Sequence, residues 1–175
     1  RKKIELRNIS NKTWKLLLAV LTSDRSVQSN DLILKFCKMK GHDLDFFQGE
    51  RNDKGQYHGL GYLINLDYFY IGMFKDGKMH GYGNATYANG AKYEGEWENG
   101  KMHGYGNATY ANGAKYEGYW EKGLFHGKGT YTFANKNKYE GAWKYGKMHG
   151  YGTLTYVNGA KYEGEWENGK MHGYG

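Results

Sequence analysis

Proline is absent from all 175 residues, and cysteine occurs once, at Cys37. A single thiol excludes an intrachain disulfide, and a reducing interior fits. Long hydrophobic runs are also missing. The longest, Leu16–Leu21, has six residues, against the roughly 20 that a spanning helix needs. Serine is lacking from residue 51 onward. No Ser/His/Asp or Cys/His set can be assembled there, so nucleophilic catalysis has no candidate. What the chain has in excess is glycine (28) and tyrosine (18), a balance that fits a Gly/aromatic β-repeat better than a compact mixed domain. The net charge of +7 is unevenly placed. Residues 1–46 hold ten Lys/Arg against five Asp/Glu, leaving fifteen against thirteen in the remainder. A solvated basic face in the N-terminal part accounts for the excess, and no nucleic-acid partner is expected.

A 23-residue unit begins at Tyr70, Tyr93, Tyr116, Tyr139 and Tyr162, with a degraded copy from Phe47. Regular self-similarity of this length marks a repeat architecture. Within Tyr93–Lys115, Tyr93, Gly95 and Trp97 alternate with glutamates, the period of a half-buried strand. Asn99-Gly100 tolerates the left-handed backbone of a tight hairpin turn. Gly104, Gly106, Ala108 and Tyr110 then alternate with Tyr105, Asn107 and Thr109 as a second strand, closed by Asn112-Gly113. Across copies the Ala108 position is Ala85, Tyr131 and Leu154, always apolar, whereas Tyr105 becomes Lys128. Tyr, Gly, Trp and Ala therefore face inward, and the missing glycine side chains let rings approach the backbone. The sequons at Asn84 and Asn107 fall inside this second strand, and the strand reading is preferred. A lone hairpin is marginal in water, so copies must stack against their neighbours. At roughly 9.6 Å per unit, five spacings predict a rod about 50 Å long.

The residues Tyr93-x-Gly95-x-Trp97, Gly100-Lys101-x-His103-Gly104-x-Gly106, Tyr110 and Gly113, recurring in register from Tyr70 to the end, closely resemble the MORN (membrane occupation and recognition nexus) repeat. The expected fold is an all-β array, an elongated and twisted antiparallel β-hairpin solenoid with one hairpin per repeat. It spans 47–175, divided into a degenerate 47–69 and then 70–92, 93–115, 116–138, 139–161 and a truncated 162–175. Residues 1–46 read as a basic, mainly helical segment. One helix runs from Trp14 to Leu21, capped by Ser10 or Asn11, and another from Asp31 to Lys40 ends at Gly41. They either cap the first edge of the array or belong to an upstream domain. The chain opens on Arg1 and stops within a repeat at Gly175, which reads as an excerpt. In the degenerate copy Arg51 takes the place of Trp.

Six histidines recur at 58, 80, 103, 126, 149 and 172. The ~9.6 Å between successive units is too long for two imidazoles each ~2.1 Å from one zinc. A structural histidine, hydrogen-bonded at the start of the second strand, is expected instead. Glu94, Glu96 and Glu98 share a solvated face and lack the differing environments of an acid/base pair. Gly-Tyr-Gly has no Walker lysine or following helix. No metal, cofactor or catalytic residue is assigned.

The aromatic row remains: Tyr70, Phe74, Tyr93, Trp97, Tyr110, Tyr116, Trp120, Phe133, Tyr139, Trp143, Tyr156, Tyr162 and Trp166. Part of it must be core. Ring edges left open form a groove for an amphipathic helix or extended peptide from a protein partner. Resemblance to MORN proteins implies a noncatalytic scaffold, in axonemes, cortical cytoskeletons or membrane junctions, hence cytoplasmic and cytoskeleton- or cilium-associated. It also implies a second possibility, a peripheral module on anionic membranes or phosphoinositides. Lys78, Lys101, Lys147 and Lys170 would then touch headgroups, with Lys92, Lys115, Lys138 and Lys161 as a second row. A third is the regulatory repeat region of a larger enzyme, as in phosphatidylinositol phosphate kinases and a SET-domain methyltransferase. Open strand edges also permit self-association.

Overall fold

The computed structural model describes residues 46–65 and 67–173. The expected N-terminal helices lie outside the described residues. Twelve strands follow one another in a single open antiparallel sheet, each hydrogen-bonded to the next in chain order. They are β1 (Phe46–Arg51), β2 (Tyr57–Ile64), β3 (Tyr68–Lys75), β4 (Lys78–Tyr87), β5 (Lys92–Glu98) and β6 (Lys101–Thr109). Then come β7 (Lys115–Glu121), β8 (Leu124–Thr132), β9 (Lys138–Lys144), β10 (Lys147–Thr155), β11 (Lys161–Glu167) and β12 (Lys170–His172). Units are therefore joined by the same backbone ladder that joins the two strands within each. Among the described residues no helix is long and apolar enough to cross a membrane.

The two-residue turns form as the sequence requires. Asn99 and Gly100 both have positive φ, at 51° and 79°, the pattern of a type I′ hairpin turn whose twist matches that of the strands. Lys122 and Tyr145 hold the same left-handed position with φ of 52°, which costs a side chain with a Cβ more than it costs asparagine. Each turn glycine also reaches back to the preceding unit. The Gly100 N–H donates to Met79 O at 2.9 Å, and the Gly123 N–H to Met102 O at 2.8 Å.

The second strand starts at Lys101, immediately after the turn, and carries a bulge. Gly95 pairs with Gly106 but Glu96 pairs with His103, leaving Gly104 and Tyr105 without partners on β5. They pair instead with Trp120 and Tyr119 on the following strand. Gly104 takes φ of 56° here, and the Tyr105 N–H donates to the Glu96 carboxylate at 3.1 Å.

Glycine forms a continuous line across the sheet. Gly49, Gly61, Gly72, Gly83, Gly95, Gly106, Gly118, Gly129, Gly141, Gly152 and Gly164 are cross-strand partners from β1 to β11. The tyrosine of each unit lies over this line, and its hydroxyl donates to a backbone carbonyl, as Tyr93 does to Glu96 O at 2.8 Å. Each tryptophan leans over the unit before it. Trp97, Trp120, Trp143 and Trp166 donate Nε1–H to Gly83, Gly106, Gly129 and Gly152 O, each at 3.1 Å. One sheet face is thus covered by its own rings, which supplies the core that a second layer would otherwise provide.

The rings meet edge to face in an unbroken ladder. Tyr70 meets Trp97 at 5.3 Å, Tyr93 meets Trp97 at 5.0 Å and Trp120 at 5.3 Å, and Tyr116 meets Trp120 at 5.1 Å and Trp143 at 5.6 Å. Tyr139 continues it between Trp143 and Trp166, both at 5.1 Å. Such contacts contribute about 0.5–1.5 kcal/mol each beyond the burial of area. In β1 and β2 the theme persists with other residues. Phe47 takes the tyrosine's place and stacks on Tyr57 at 3.9 Å. Arg51, where Phe74 and then tryptophans stand in the later units, lays its guanidinium over Tyr57 at 4.8 Å.

Burial has a titration consequence. It pushes Tyr110 and Tyr139 up to about 12, and Tyr70, Tyr93 and Tyr116 higher still. Unfolded tyrosine ionises near pH 10. Above that the unfolded chain loses protons that the folded chain keeps, so this contribution to stability is complete below pH 10 and lost as pH rises through the folded values. The sheet should unfold cooperatively above pH 10, with tyrosinate absorbance and loss of circular dichroism appearing together. Complete tyrosine titration near pH 10 with the dichroism unchanged would contradict this packing.

Candidate interaction surface

Nine of the thirteen aromatic candidates are core: Tyr70, Phe74, Tyr93, Trp97, Tyr116, Trp120, Tyr139, Trp143 and Trp166 are each at most 7 % exposed. Tyr110, Phe133, Tyr156 and Tyr162 are partly buried. The solvent-facing layer over the ladder includes side chains that the sequence pattern does not single out. Met79, Met102, Phe125 and Met148 hold one equivalent position in successive units, packed against the core and still partly open. Phe125 stacks on Tyr116 at 3.8 Å and meets Trp143 at 5.0 Å. Tyr87, Tyr110, Tyr131 and Phe133 lie on the same face, with Tyr131 meeting Phe133 at 4.7 Å. The result is an apolar strip of flexible thioethers and rigid rings above a fixed floor. The 23-residue spacing of the methionines was the available signal, hidden because each stands beside a more conspicuous Lys or His.

The opposite face is polar, as the glutamate alternation requires, yet it also displays tyrosines. Tyr82, Tyr105, Tyr119 and Tyr151 are 55, 42, 52 and 63 % exposed. Three donate to the glutamate twelve residues on: Tyr82 to Glu94 at 2.8 Å, Tyr105 to Glu117 at 2.9 Å and Tyr151 to Glu163 at 3.3 Å. For Tyr82 and Tyr105 the hydrogen bond is the main cause of an upward shift, and for Tyr151 it is the Glu163 charge.

Lys78, Lys101, Lys147 and Lys170 are all exposed, at one end of the hairpins. They are not equivalent. Lys101 and Lys170 pair across the turn with Glu98 and Glu167, whereas Lys78 and Lys147 face Lys75 and Lys144. Positive charge therefore concentrates at the Lys144–Lys147 turn, while Asp76 sits between Lys75 and Lys78. The histidines beside these turns do not make the expected hydrogen bond. Nδ1 of His103 and His126 is buried and lies 3.4 and 3.3 Å from the Glu98 and Glu121 carboxylates, an ion-pair distance without hydrogen-bond alignment. Among the described residues no three His, Cys, Asp or Glu side chains group as a metal site.

This combination of repeated hairpins, a glycine line and a Tyr/Trp ladder defines an open, antiparallel β-hairpin repeat protein. The family model for the MORN repeat matches residues 70–92, 93–115, 116–138, 139–161 and 162–175, and the chain belongs to that family. Comparison with curated proteins yields no match.

Proposed function

We propose that the chain is a noncatalytic scaffold that docks a helix or extended segment of another protein along the strip formed by Met79, Met102, Phe125 and Met148 with Tyr110, Phe133 and Tyr156. The observation that carries this reading is the strip itself, apolar side chains left partly open above rings already committed to the core. Methionine adapts to a partner's shape at little cost, while the ring ladder beneath keeps the strip in place. MORN membership supports a scaffold role, and a cytoskeletal or ciliary assembly is our reading of where such a scaffold works. Paired lysines at Lys75/Lys78 and Lys144/Lys147 favour a second reading, contact with an anionic membrane surface, whose binding would fall steeply with salt.

Met79→Gln/Met102→Gln/Met148→Gln keeps side-chain length and leaves the ladder intact. A folded triple variant should lose the protein partners that wild type captures, by tenfold or more in affinity, with little dependence on salt. Undiminished capture by this variant, or binding only to anionic vesicles at low salt, would turn the account toward the lysines.

A further inference from the structure

On the polar face the repeat pattern loses both of its usual bulky residues at Lys128 and Ala142. The position of Ala142 is Met73, Glu96, Tyr119 and Glu165 in the other units, and that of Lys128 is Tyr82, Tyr105 and Tyr151. Lys128 and Ala142 are cross-strand partners, so a tyrosine and a long side chain are missing from adjoining positions. The gap is a shallow slot of about 570 Å³, broadly open to solvent. Tyr105 and Tyr119, edge to face at 5.4 Å, stand on one side and Tyr151 on the other. The glycine line and the Ala142 methyl form its floor, and Thr130 adds a hydroxyl.

Its electrostatics are also particular to this unit. In the units of Glu96 and Glu165 this row offers a carboxylate, but the residue opposite Lys128 is alanine, and Lys128 forms no ion pair among the described residues. Of the nearby acids, Glu117 also lines the slot and accepts from Tyr105 at 2.9 Å, while Glu140 pairs with Lys138 at 2.8 Å. We infer that this slot binds an aromatic ring bearing a carboxylate, the ring lying among Tyr105, Tyr119 and Tyr151 and the carboxylate meeting Lys128. Free aromatic acids and an aromatic residue beside an acidic one in a peptide share this chemistry. The site is on the face opposite the methionine strip and stands independently of it.

The test is an amide NMR titration of the full chain with indole-3-acetate, with neutral indole-3-acetamide, and with the capped dipeptide N-acetyl-Trp-Asp-amide. Shifts at Gly129, Gly141, Ala142 and Tyr151 are expected, with affinity for indole-3-acetate at least fivefold above that of the amide and that preference lost in Lys128→Gln. Ala142→Glu restores the residue found at Glu96 and Glu165. It should fold, since Glu96 accepts the Tyr105 N–H in the equivalent bulge, and should abolish the shifts by filling the slot. Tighter binding of the dipeptide would assign the ligand to a protein partner, and tighter binding of indole-3-acetate to a free acid. No localised shift with any probe, equal affinity for acid and amide, or unchanged binding in Ala142→Glu would each overturn the inference.

Discussion

Trp120→Ala should cut the sheet's cooperativity in two. The Trp120 ring is 4 % exposed, lies between Tyr93 and Tyr116 at 5.3 and 5.1 Å, and donates to Gly106 O at 3.1 Å. Truncating a buried ring of this size costs about 3–5 kcal/mol. The location matters as much as the magnitude. In a linear array each unit is stabilised by its neighbours, so loss of the ring weakens the junction between the units starting at Tyr93 and Tyr116 while both hairpins remain. Chemical denaturation should change from one transition to two, with amide exchange accelerating most in β6 and β7. A single transition at an unchanged midpoint would contradict the ladder's role.

Gly106→Ala should be nearly as damaging although it adds one carbon. A Cβ at Gly106 would lie within van der Waals overlap of the Tyr93 ring, 2.6 Å from Cζ and 2.7 Å from Cε2. The ring has no room to retreat, because Trp97 and Trp120 hold its edges at 5.0 and 5.3 Å. Overpacking of this kind costs about 3 kcal/mol, on the order of a 10 °C loss in melting temperature for a domain of this size. Gly113→Ala is the contrasting case. Its φ is 82° but nothing stands within 4 Å of the added carbon, so only the backbone term of about 1 kcal/mol applies. Equal destabilisation by the two substitutions would mean that conformation, not ring packing, selects glycine along the line.

Much of this was legible in the residues. Strict alternation through Tyr93, Gly95 and Trp97 gives the inward face, and Asn99-Gly100 gives the turn, because both are local consequences of a two-residue period and left-handed tolerance. What alternation does not give is register between units. Within a unit the Gly104–Tyr105 bulge accompanies the pairing of Gly95 with Gly106, and between units the glycine line depends on Gly83 meeting Gly95 and Gly106 meeting Gly118. Its trace in sequence is the alternating spacing of eleven and twelve residues between those glycines. The aromatic row was read as core with ring edges open. Tyr70, Tyr93, Tyr116, Tyr139 and the four tryptophans of the ladder are more completely enclosed than a groove would need, because each tryptophan covers the preceding unit, whereas Tyr110, Phe133, Tyr156 and Tyr162 stay partly open. The methionine strip above them and the slot at Ala142 arise from neighbours on adjacent strands, which period-two reading within one unit does not compare.

Photo-crosslinking tests the docking face most directly. A benzophenone side chain is placed at Met102 on the strip or at Tyr82 on the polar face, away from the Ala142 slot. In the cell of origin, the account predicts one recurring protein adduct from position 102, with the crosslinked peptide forming a helix or extended segment, and none from position 82. Adducts from position 82 alone, or lipid adducts in place of protein at position 102, would contradict it.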